Sequence, residues 1–374
     1  MRGSGVKPQE PGAVRGEALG SPCAARRRAL AARTGGGHST GVRAAVLGGG
    51  GWGTAIARLL AGKGVPTCLW VRDPARAAVV ARERENRKYL PGVELPASLA
   101  ITSDLQQAAA WGEVLFLAVP SHAMRPIVRQ AVPSFRAGRP AALVSLAKGI
   151  ELQTLKPMTE VVGEEAPGVP VFVLSGPSHA EEVGRDEPTA VVLAGRDLRL
   201  GAEIQRLLMT ERFRVYLTDD LVGVEYGAAM KNVIAIAAGI CDGLGYGDNA
   251  KGALISRGLA EMVRLAVRLG ARRETLFGLS GLGDLVATCT SCHSRNRAVG
   301  ERVGRGERLG EILAGMSMVA EGVFAARAMR VLASSQGVET PIMEAVYQIL
   351  YEGADPLAKL DELMGRPPRD ERLD

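Results

Sequence analysis

Short apolar runs alternate with helical patterns over the first part of the chain. Runs with the length of buried strands occupy 43–47, 67–71, 114–119, 141–147, 171–175 and 189–194. Helical stretches separate most of them, for example 122–131 and 197–209. Buried strands that alternate with helices are typical of a parallel sheet that is covered on both faces.

The pattern changes near residue 220, where helical spacing continues and strand candidates almost disappear. The helical stretches are 222–241, 252–269, 296–303, 319–335 and 341–352. We therefore predict an α/β, Rossmann-type doubly wound sheet domain followed by an all-α C-terminal domain. The expected segments are a disordered basic tail (1–42), the dinucleotide-binding domain (43–219), the helical substrate and catalytic domain (220–365) and a flexible tail (366–374).

The formal net charge of +6 is concentrated near the N-terminus. Residues 1–43 contain eight basic and two acidic side chains, so the rest of the chain is electrically balanced. A balanced body presents no broad positive surface to a polyanion, and we expect no nucleic-acid partner. Any positive pocket is then small and local, which suits a small phosphorylated substrate.

The N-terminal residues predict neither export nor membrane insertion. They lack the continuous apolar segment of a secretory signal, and no apolar run in the chain reaches bilayer length. A weak likeness to an organellar transit peptide is opposed by the Gly and Pro residues and by Glu10 and Glu17. Five cysteines, an odd number, fit a reducing compartment. We expect a cytoplasmic protein with no integral membrane segment.

A glycine-rich turn follows the first predicted strand and opens a predicted helix. Gly48, Gly50 and Gly53 have the GxGxxG spacing, which lets the backbone and the free N–H groups of the helix approach a pyrophosphate. The motif therefore predicts a dinucleotide site. At the end of the second strand, Arg72 suits the 2′-phosphate of NADP and the adjacent Asp73 suits the ribose hydroxyl of NAD. The residues leave the choice between NAD and NADP open.

Longer motifs between about residues 43 and 365 resemble one family: GGGGWGTA, NRKYLPG, LAKGIE, LSGPSHAEEV, VGVEYGAAMKNVIAIAAGICDGL, GLGDLVATCTSCHSRNRAVG and VAEGV. The chain resembles the bacterial NAD(P)-dependent sn-glycerol-3-phosphate dehydrogenases. The resemblance implies interconversion of glycerol 3-phosphate and dihydroxyacetone phosphate, and a supply of glycerol 3-phosphate for phospholipid synthesis. We also expect a homodimer. Composition and periodicity alone reach only a two-domain nicotinamide oxidoreductase.

Two lysines and one acid are the candidate catalytic residues. Lys231 lies among small apolar residues, where a lone charge is costly, and a lowered pKa would let it exchange protons near neutral pH. The matching lysine of the family is the proton acceptor in the oxidation direction. Lys148 directly follows a predicted strand, where open parallel sheets bind ligands, and the resemblance makes it a contact of both substrate and cofactor. Asp284 would position Lys231 or bind a substrate hydroxyl.

The remaining substrate contacts are expected from nearby polar groups. We assign the hydroxyl, guanidinium and amide of the triplet 294–296 to the substrate phosphate, because the planar fork of an arginine matches a phosphate dianion. Backbone N–H groups near Gly176 and Ser178 would hold substrate oxygens. The expected substrate-binding residues are Lys148, Gly176, Ser178, Lys231, Asn232, Asp284, Ser294, Arg295 and Asn296.

The resemblance also implies a set of cofactor contacts. Val319 and Glu321 match family positions at the nicotinamide end. The chain departs from the family at His179, where a phenylalanine is usual, and at Gly51, which replaces a serine. The expected cofactor-binding residues are Gly48, Gly50, Gly51, Trp52, Gly53, Arg72, Tyr89, Lys148, Ala180, Arg295, Val319 and Glu321.

The sequence Cys289-x-x-Cys292-His293 spells the attachment motif of c-type haem and resembles a redox CxxC. Covalent haem requires an exported chain, so we expect neither haem nor thiol redox chemistry. The four histidines are scattered and no second CxxC exists, so we expect no metal.

Two other functions stay open when the residues alone are considered. One is a two-domain dehydrogenase of the same plan that acts on a hydroxy acid such as 6-phosphogluconate or ketopantoate. The other is a regulatory protein that binds NAD(P) without turnover. A sensor of this kind would not need both Lys148 and Lys231.

Overall fold

The computed structural model describes residue 1 and residues 41–316, 318–367 and 370–371. The predicted tails, 1–42 and 366–374, lie largely outside this part of the chain. Val42 is fully buried in the core of the sheet domain. Arg366 pairs with Glu339, with 3.1 Å between Nη2 and Oε2. The packed chain therefore includes at least one residue at the inner end of each predicted tail.

One large sheet forms the first domain. The strands of the described residues are β1 (Ala44–Leu47), β2 (Thr67–Trp70), β3 (Glu85–Asn86), β4 (Leu90–Glu94), β5 (Ala100–Thr102), β6 (Val114–Leu117), β7 (Ala142–Ser145), β8 (Val171–Ser175), β9 (Thr189–Gly195) and β10 (Phe213–Thr218). Eight of them form a sheet in the order β10-β9-β8-β7-β6-β1-β2-β5, and β3 pairs separately with β4. The central neighbours run parallel, as in a doubly wound fold.

Within this mainly parallel sheet, one pair differs: β9 runs antiparallel to β8. The link between these strands contains only the five-residue helix Ala180–Gly184. Parallel neighbours need a crossover that carries the chain back along the sheet, usually as a longer helix, and this short link instead returns the chain in the opposite direction. β10 then pairs parallel with β9.

Helices cover both faces of the sheet. They are α1 (Gly51–Gly62), α2 (Pro74–Glu83), α3 (Leu105–Trp111), α4 (Ser121–Gly138), α5 (Met158–Glu165), α6 (Ala180–Gly184) and α7 (Leu198–Leu208). Alternate residues of the strands enter opposite cores: Val46 packs in the core that includes α1 and α7, and Leu47 in the core that includes α3, α4 and α5. The doubly wound class is therefore confirmed.

The sequence analysis missed β3, β4, β5 and β10. β5 and β10 lie at the two edges of the large sheet, so they do not read as continuous apolar runs. In β10 the side chains of Arg214 and Tyr216 are exposed and alternate with buried Phe213 and Val215. This half-polar alternation is the pattern of an edge strand.

The second domain is helical, and the described residues after 220 contain no strand. Its helices are α8 (Leu221–Gly243), α9 (Asp248–Arg268), α10 (Arg273–Phe277), α11 (Asp284–Thr290), α12 (Arg295–Gly304), α13 (Leu309–Ala314), α14 (Glu321–Gln336), α15 (Pro341–Tyr347) and α16 (Pro356–Met364), with π-helical turns at Leu279–Gly283 and Gln348–Glu352.

Helix α8 is the core of this domain. By length and composition it could cross a membrane, which the sequence analysis did not anticipate, but 89% of its most apolar segment is buried inside the protein. It is also the element that carries buried Glu225 and Lys231. A helix that is apolar on all sides and enclosed by its neighbours is the core helix of a globular domain.

Helices α8 and α12 approach each other unusually closely because glycines lie at their contact. A Cβ atom on Gly239 would lie 2.0 Å from the carbonyl oxygen of Arg297, and one on Gly300 would lie 2.0 Å from that of Ile236. No larger residue fits there without moving a helix. The close contact places the N-terminus of α12 beside Asn232, which accepts a 2.8 Å hydrogen bond from Asn296.

Candidate active site

A cavity of about 440 Å³ lies between the carboxyl ends of β1, β6 and β7 and the helical domain. Open parallel sheets bind their ligands at this edge. All the predicted site residues line the cavity except Gly176, whose carbonyl oxygen instead accepts a 2.8 Å hydrogen bond from Lys148 Nζ. The structure therefore brings the two predicted sets, cofactor and substrate contacts, to one place.

The glycine turn forms one end of the cavity. Gly48 has a φ of +133°, and a Cβ there would lie 2.4 Å from the carbonyl oxygen of Ala118. Helix α1 begins at Gly51, and its first turn contains no side-chain cap and no acidic residue. Its N–H groups and the positive end of the helix dipole are therefore left for an anion. The buried indole N–H of Trp52 also has no partner among the described residues, so this end fits the pyrophosphate of a dinucleotide.

Two arginines line the cavity beyond the turn. Arg72 was predicted, whereas Arg76 on α2 was missed, and its guanidinium lies 4.8 Å from the ring centre of Tyr89. Asp73 is already engaged, because its carboxylate caps α2 by accepting a 3.0 Å hydrogen bond from the N–H of Ala75. The acid that the sequence offered to an NAD ribose therefore serves the helix.

Lys231 is buried, with 4% of its surface exposed. Its Nζ donates to Asp284 Oδ1 at 3.1 Å and to Thr288 Oγ1 at 2.6 Å. Burial lowers the pKa of Lys231 to about 8; the carboxylate of Asp284 opposes this shift and the charge of Lys148 adds to it. The amine can therefore give or take a proton near neutral pH.

Asp284 joins the two lysines. Its other oxygen, Oδ2, accepts a 2.8 Å hydrogen bond from Lys148 Nζ, which also lies 3.4 Å from Ser178 Oγ. Burial by itself would raise the pKa of Asp284, but the two lysines outweigh it and hold this pKa below its usual range. Two cations thus share one carboxylate, and the cluster as a whole is positive.

Thr288 is a site residue that the sequence analysis missed. Besides accepting from Lys231, its hydroxyl donates a 2.6 Å hydrogen bond to the backbone oxygen of Asp284. The two residues are one helical turn apart on α11, and positions i and i+4 lie on the same face of a helix. That spacing was the available signal.

Two predicted asparagines form a chain of amides across the domains. Asn296 donates to Asn232 Oδ1 at 2.8 Å, and Asn232 donates to the backbone oxygen of Lys148 at 3.0 Å. The side-chain oxygen of Asn296 also accepts from the N–H of Gly322 at 2.9 Å. The chain fixes the backbone of Lys148 relative to α8 and α12, so these amides position the site even before any substrate contact.

The rest of the triplet lies at the beginning of α12. Ser294 caps the helix, accepting a 3.2 Å hydrogen bond from the N–H of Arg297. Arg295 is exposed to the cavity and donates a 2.8 Å hydrogen bond to the backbone oxygen of Val319. A guanidinium at a helix N-terminus presents cationic and amide donors together.

Glu321 also joins the domains. Its carboxylate accepts hydrogen bonds from the N–H (2.9 Å) and the hydroxyl (2.5 Å) of Ser121, at the N-terminus of α4. A Cβ on Gly149 would lie 2.7 Å from Glu321 Oε2, so the residue after Lys148 must be small. Ser121 was not among the predicted site residues.

Four of the five cysteines lie within the described residues. The four that the structure describes, Cys68, Cys241, Cys289 and Cys292, are free. Within the described ranges, no group of three or more His, Cys, Asp or Glu side chains could hold a metal ion. The rings of His179 and His293 are 6.0 Å apart, centre to centre, and both line the cavity.

Known proteins are similar to this chain in sequence and in fold. Two family profiles match it: the N-terminal part of NAD-dependent glycerol-3-phosphate dehydrogenase over residues 43–200, and the C-terminal part over 220–361. A relative from Chlorobium limicola, named glycerol-3-phosphate dehydrogenase (NAD(P)+), is 50% identical over 330 residues, which are 87% of this chain and 98% of the relative. One of the same name from Geobacter metallireducens is 50% identical over 335 residues, 89% and 99% of the two chains.

The fold agrees with this result. The crystal structure of glycerol-3-phosphate dehydrogenase from Coxiella burnetii superposes with a TM-score of 0.83 at 38% identity, covering 87% of this chain and 99% of that one. The predicted family resemblance is confirmed. The glycine turn, the two lysines and Asp284 meet in one cavity. Together with the matches to both family profiles and to the relatives, this shows that the chain belongs to the NAD-dependent glycerol-3-phosphate dehydrogenase family.

Proposed function

We propose that this chain is an NAD(P)-dependent sn-glycerol-3-phosphate dehydrogenase that interconverts glycerol 3-phosphate and dihydroxyacetone phosphate. The observation that carries the proposal is the buried amine of Lys231, with a pKa lowered to about 8, at the wall of a cavity that begins at a dinucleotide turn. The relatives described above are named for this activity.

Lys231 is the proton donor and acceptor. A bound nicotinamide cofactor supplies or removes the hydride at the carbon that carries the oxygen. In the reductive direction Lys231 donates its proton to the carbonyl oxygen, and in the oxidative direction the neutral amine accepts the proton of the hydroxyl. Asp284 and Thr288 hold Nζ in place through the 3.1 and 2.6 Å hydrogen bonds.

Lys148 supplies the second positive charge. Its partial exposure, 19% of the side chain, leaves Nζ within reach of a ligand while Asp284 anchors it. Because one carboxylate balances only one of the two lysines, the pair presents a net positive charge to a carbonyl oxygen that gains negative charge during reduction. Such fixed charges stabilise that oxygen without reorganisation.

The substrate phosphate binds at the N-terminus of α12. Arg295 is exposed there and keeps donors free beyond its hydrogen bond to Val319. The capped helix end adds backbone N–H groups. Asn296 contributes through the amide chain that sets the distance between this helix and Lys148.

The cofactor is NADP in preference to NAD. Arg72 and Arg76 both line the cavity near the second strand, and the nearby acid, Asp73, is occupied as a helix cap. Two guanidinium groups favour a 2′-phosphate over a free hydroxyl. Comparing NADH and NADPH side by side, with dihydroxyacetone phosphate as substrate, tests both the reaction and this preference. Equal kcat/KM for the two cofactors would contradict the preference, and no turnover with either would contradict the function.

The two alternative functions make different predictions in the same assay. A hydroxy-acid dehydrogenase of the same plan would oxidise 6-phosphogluconate or reduce ketopantoate and ignore dihydroxyacetone phosphate. A nucleotide sensor would bind the cofactor without oxidising it and would not need both Lys148 and Lys231. That both lysines line the cavity supports an enzyme over a sensor.

In the cell we propose that the enzyme acts in the cytoplasm as a homodimer and supplies glycerol 3-phosphate for phospholipid synthesis. The free state of the described cysteines supports a reducing compartment. Light scattering of the purified chain decides the oligomeric state, and a monomeric mass would refute the dimer.

A further inference from the structure

Two histidines face each other across the cleft between the domains. His179 directly follows Ser178, the hydroxyl that Lys148 reaches, and precedes α6 of the sheet domain. His293 directly precedes Ser294, the cap of α12 in the helical domain. Their ring centres are 6.0 Å apart and the planes are tilted by 51°. The pair thus spans the cavity beside the proposed phosphate site.

The charges around the pair suit an anion. The charged groups around His179 are Lys148 at the sheet edge, Lys231 on α8 and Glu182 on α6. The ring of His293 lies opposite. Burial, and then the charge of Lys148, lowers the pKa of His179 below its usual value, while the carbonyl of Ala287 and the charge of Glu182 oppose the shift. A dianion within hydrogen-bond reach of both rings would favour the protonated form of His179.

We propose that His179 and His293 form a clamp that holds the substrate phosphate between the two domains and makes its binding dependent on pH. This inference rests on the proposed phosphate site at the N-terminus of α12. His179 takes up a proton as the phosphate enters, since burial and the charge of Lys148 disfavour its charged form in the free protein and the bound ring faces a dianion. Affinity for a phosphorylated substrate therefore falls as the pH rises.

The experiment measures KM for dihydroxyacetone phosphate from pH 6 to pH 7.5 in the wild type and in His179→Phe, His179→Gln and His293→Gln. Phenylalanine is the residue usual in the family at this position, so His179→Phe is expected to fold. A charge-assisted hydrogen bond of ordinary strength predicts that each variant raises KM at pH 6 by about tenfold. The wild-type KM rises with pH and approaches that of the variants. Ionisation of the substrate phosphate would act in the opposite direction.

Two controls separate the clamp from other effects. His122→Gln removes an imidazole whose ring centre lies 5.9 Å from that of Phe324. We expect this variant to keep the wild-type dependence of KM on pH. Unphosphorylated dihydroxyacetone, as a second substrate, has a kcat/KM that none of the clamp variants changes. A loss with dihydroxyacetone equal to that with the phosphate ester would mean that the histidines shape the cavity only, and would overturn the proposal.

Arg295→Ala tells the two possible failures apart. If this variant keeps the wild-type KM, the proposed phosphate site is wrong. If it raises KM while His179→Gln and His293→Gln match the wild type at every pH, the phosphate site stands and the clamp is wrong. A pH-dependent KM retained by His179→Gln also counts against the clamp, because glutamine keeps a donor and cannot be protonated.

Discussion

Lys231 remains inside the protein because the surrounding residues satisfy its hydrogen bonds. An unpaired buried amine would be costly, and here Asp284 and Thr288 accept from it at 3.1 and 2.6 Å. The same carboxylate holds Lys148 at 2.8 Å. One acid therefore sets the position of both cations and limits how far the pKa of Lys231 falls.

Replacing Lys231 by alanine removes the proton donor and leaves the glycine turn untouched. We expect kcat to fall by about 10²–10⁴-fold, the usual contribution of general acid catalysis. The dissociation constant for NADPH, measured by fluorescence titration, should stay close to that of the wild type. A variant that keeps normal turnover would exclude Lys231 from its role.

The pKa of about 8 for Lys231 gives the reaction opposite pH dependences in its two directions. Reduction needs the protonated amine, so its kcat should decline above about pH 8, whereas oxidation needs the neutral amine and should decline below it. Initial rates in both directions from pH 6 to pH 10 test this. Parallel profiles would contradict the assignment.

Arg295→Ala should raise KM for dihydroxyacetone phosphate by about 10- to 100-fold, since a hydrogen bond to a charged group contributes about 1.5–3 kcal/mol. Arg297→Ala is a control on the same helix, because Arg297 pairs with Asp242 instead. We expect its KM to stay near the wild-type value.

The contact between α8 and α12 is the element on which the geometry of the site depends. It brings Lys231 and Asn232 on one helix beside Arg295 and Asn296 on the other. Glycines at the contact allow the backbones themselves to touch. The amide chain then transmits this spacing to the backbone of Lys148.

Gly300→Ala would place a methyl group 2.0 Å from the carbonyl oxygen of Ile236, so α12 must move. Overpacking of this kind costs about 1–3 kcal/mol, and we expect that loss in the free energy of unfolding together with a raised KM. Gly252→Ala is the matched control, because its Cβ would meet nothing within 4 Å in the second turn of α9. It should gain up to about 1 kcal/mol from helix propensity. Urea unfolding of both variants measures these changes in the free energy of unfolding.

Periodicity predicted the central strands and the long helices because these are buried, and buried runs are continuous in sequence. The same reasoning missed β10, where exposed Arg214 and Tyr216 interrupt the apolar pattern. It also missed the reversal of β9, since a strand's direction depends on the path of the link before it.

The glycine turn and the lysines of the site could be predicted because their residue types and neighbours already indicate their chemistry. Arg76 and Ser121 could not, since each acts through a partner elsewhere in the sequence. Thr288 was missed although its spacing from Asp284 on α11 was an available signal. Asp73 shows the converse: an acid at the expected position was taken by a local cap.

At the scale of the whole molecule, two carboxylates of the helical domain connect it to the sheet domain. Glu321 of α14 binds the N-terminus of α4, and Glu225 of α8 binds that of α5, accepting from the N–H of Thr159 at 2.9 Å and from its hydroxyl. Each supplies acceptors to a helix N-terminus in the other domain.

Glu225 should make stability depend on pH. Burial raises its pKa to about 7, against 4.5 for an exposed glutamate. A raised folded-state pKa contributes stability that is complete below pH 4.5 and is lost as the pH rises through 7. As the pH rises across this range, the free energy of unfolding of the wild type should therefore fall by up to roughly 3 kcal/mol relative to that of Glu225→Gln.

Chemical denaturation of wild type and Glu225→Gln at pH 5 and pH 8 measures this difference. Glu311→Gln, at an exposed position on α13, serves as the control and should show no such trend. A difference between wild type and Glu225→Gln that is the same at both pH values would contradict the prediction.

Removing residues 2–40 should leave folding and activity unchanged, because the body of the chain is electrically balanced without them. A deletion that extends through Val42 should lower the melting temperature, since this side chain is fully buried. Thermal unfolding of the two truncated chains tests both statements. A chain without residues 2–40 that fails to fold would refute the first.

The exposure of Cys292 offers a natural attachment point for a spectroscopic probe. Among the cysteines that the structure describes it alone is exposed, and it precedes His293 at the wall of the cavity. In a chain that lacks residues 2–40, and with them Cys23, a maleimide dye would label this one accessible thiol. We expect the fluorescence intensity of the dye to change when substrate binds, without the need for an engineered cysteine.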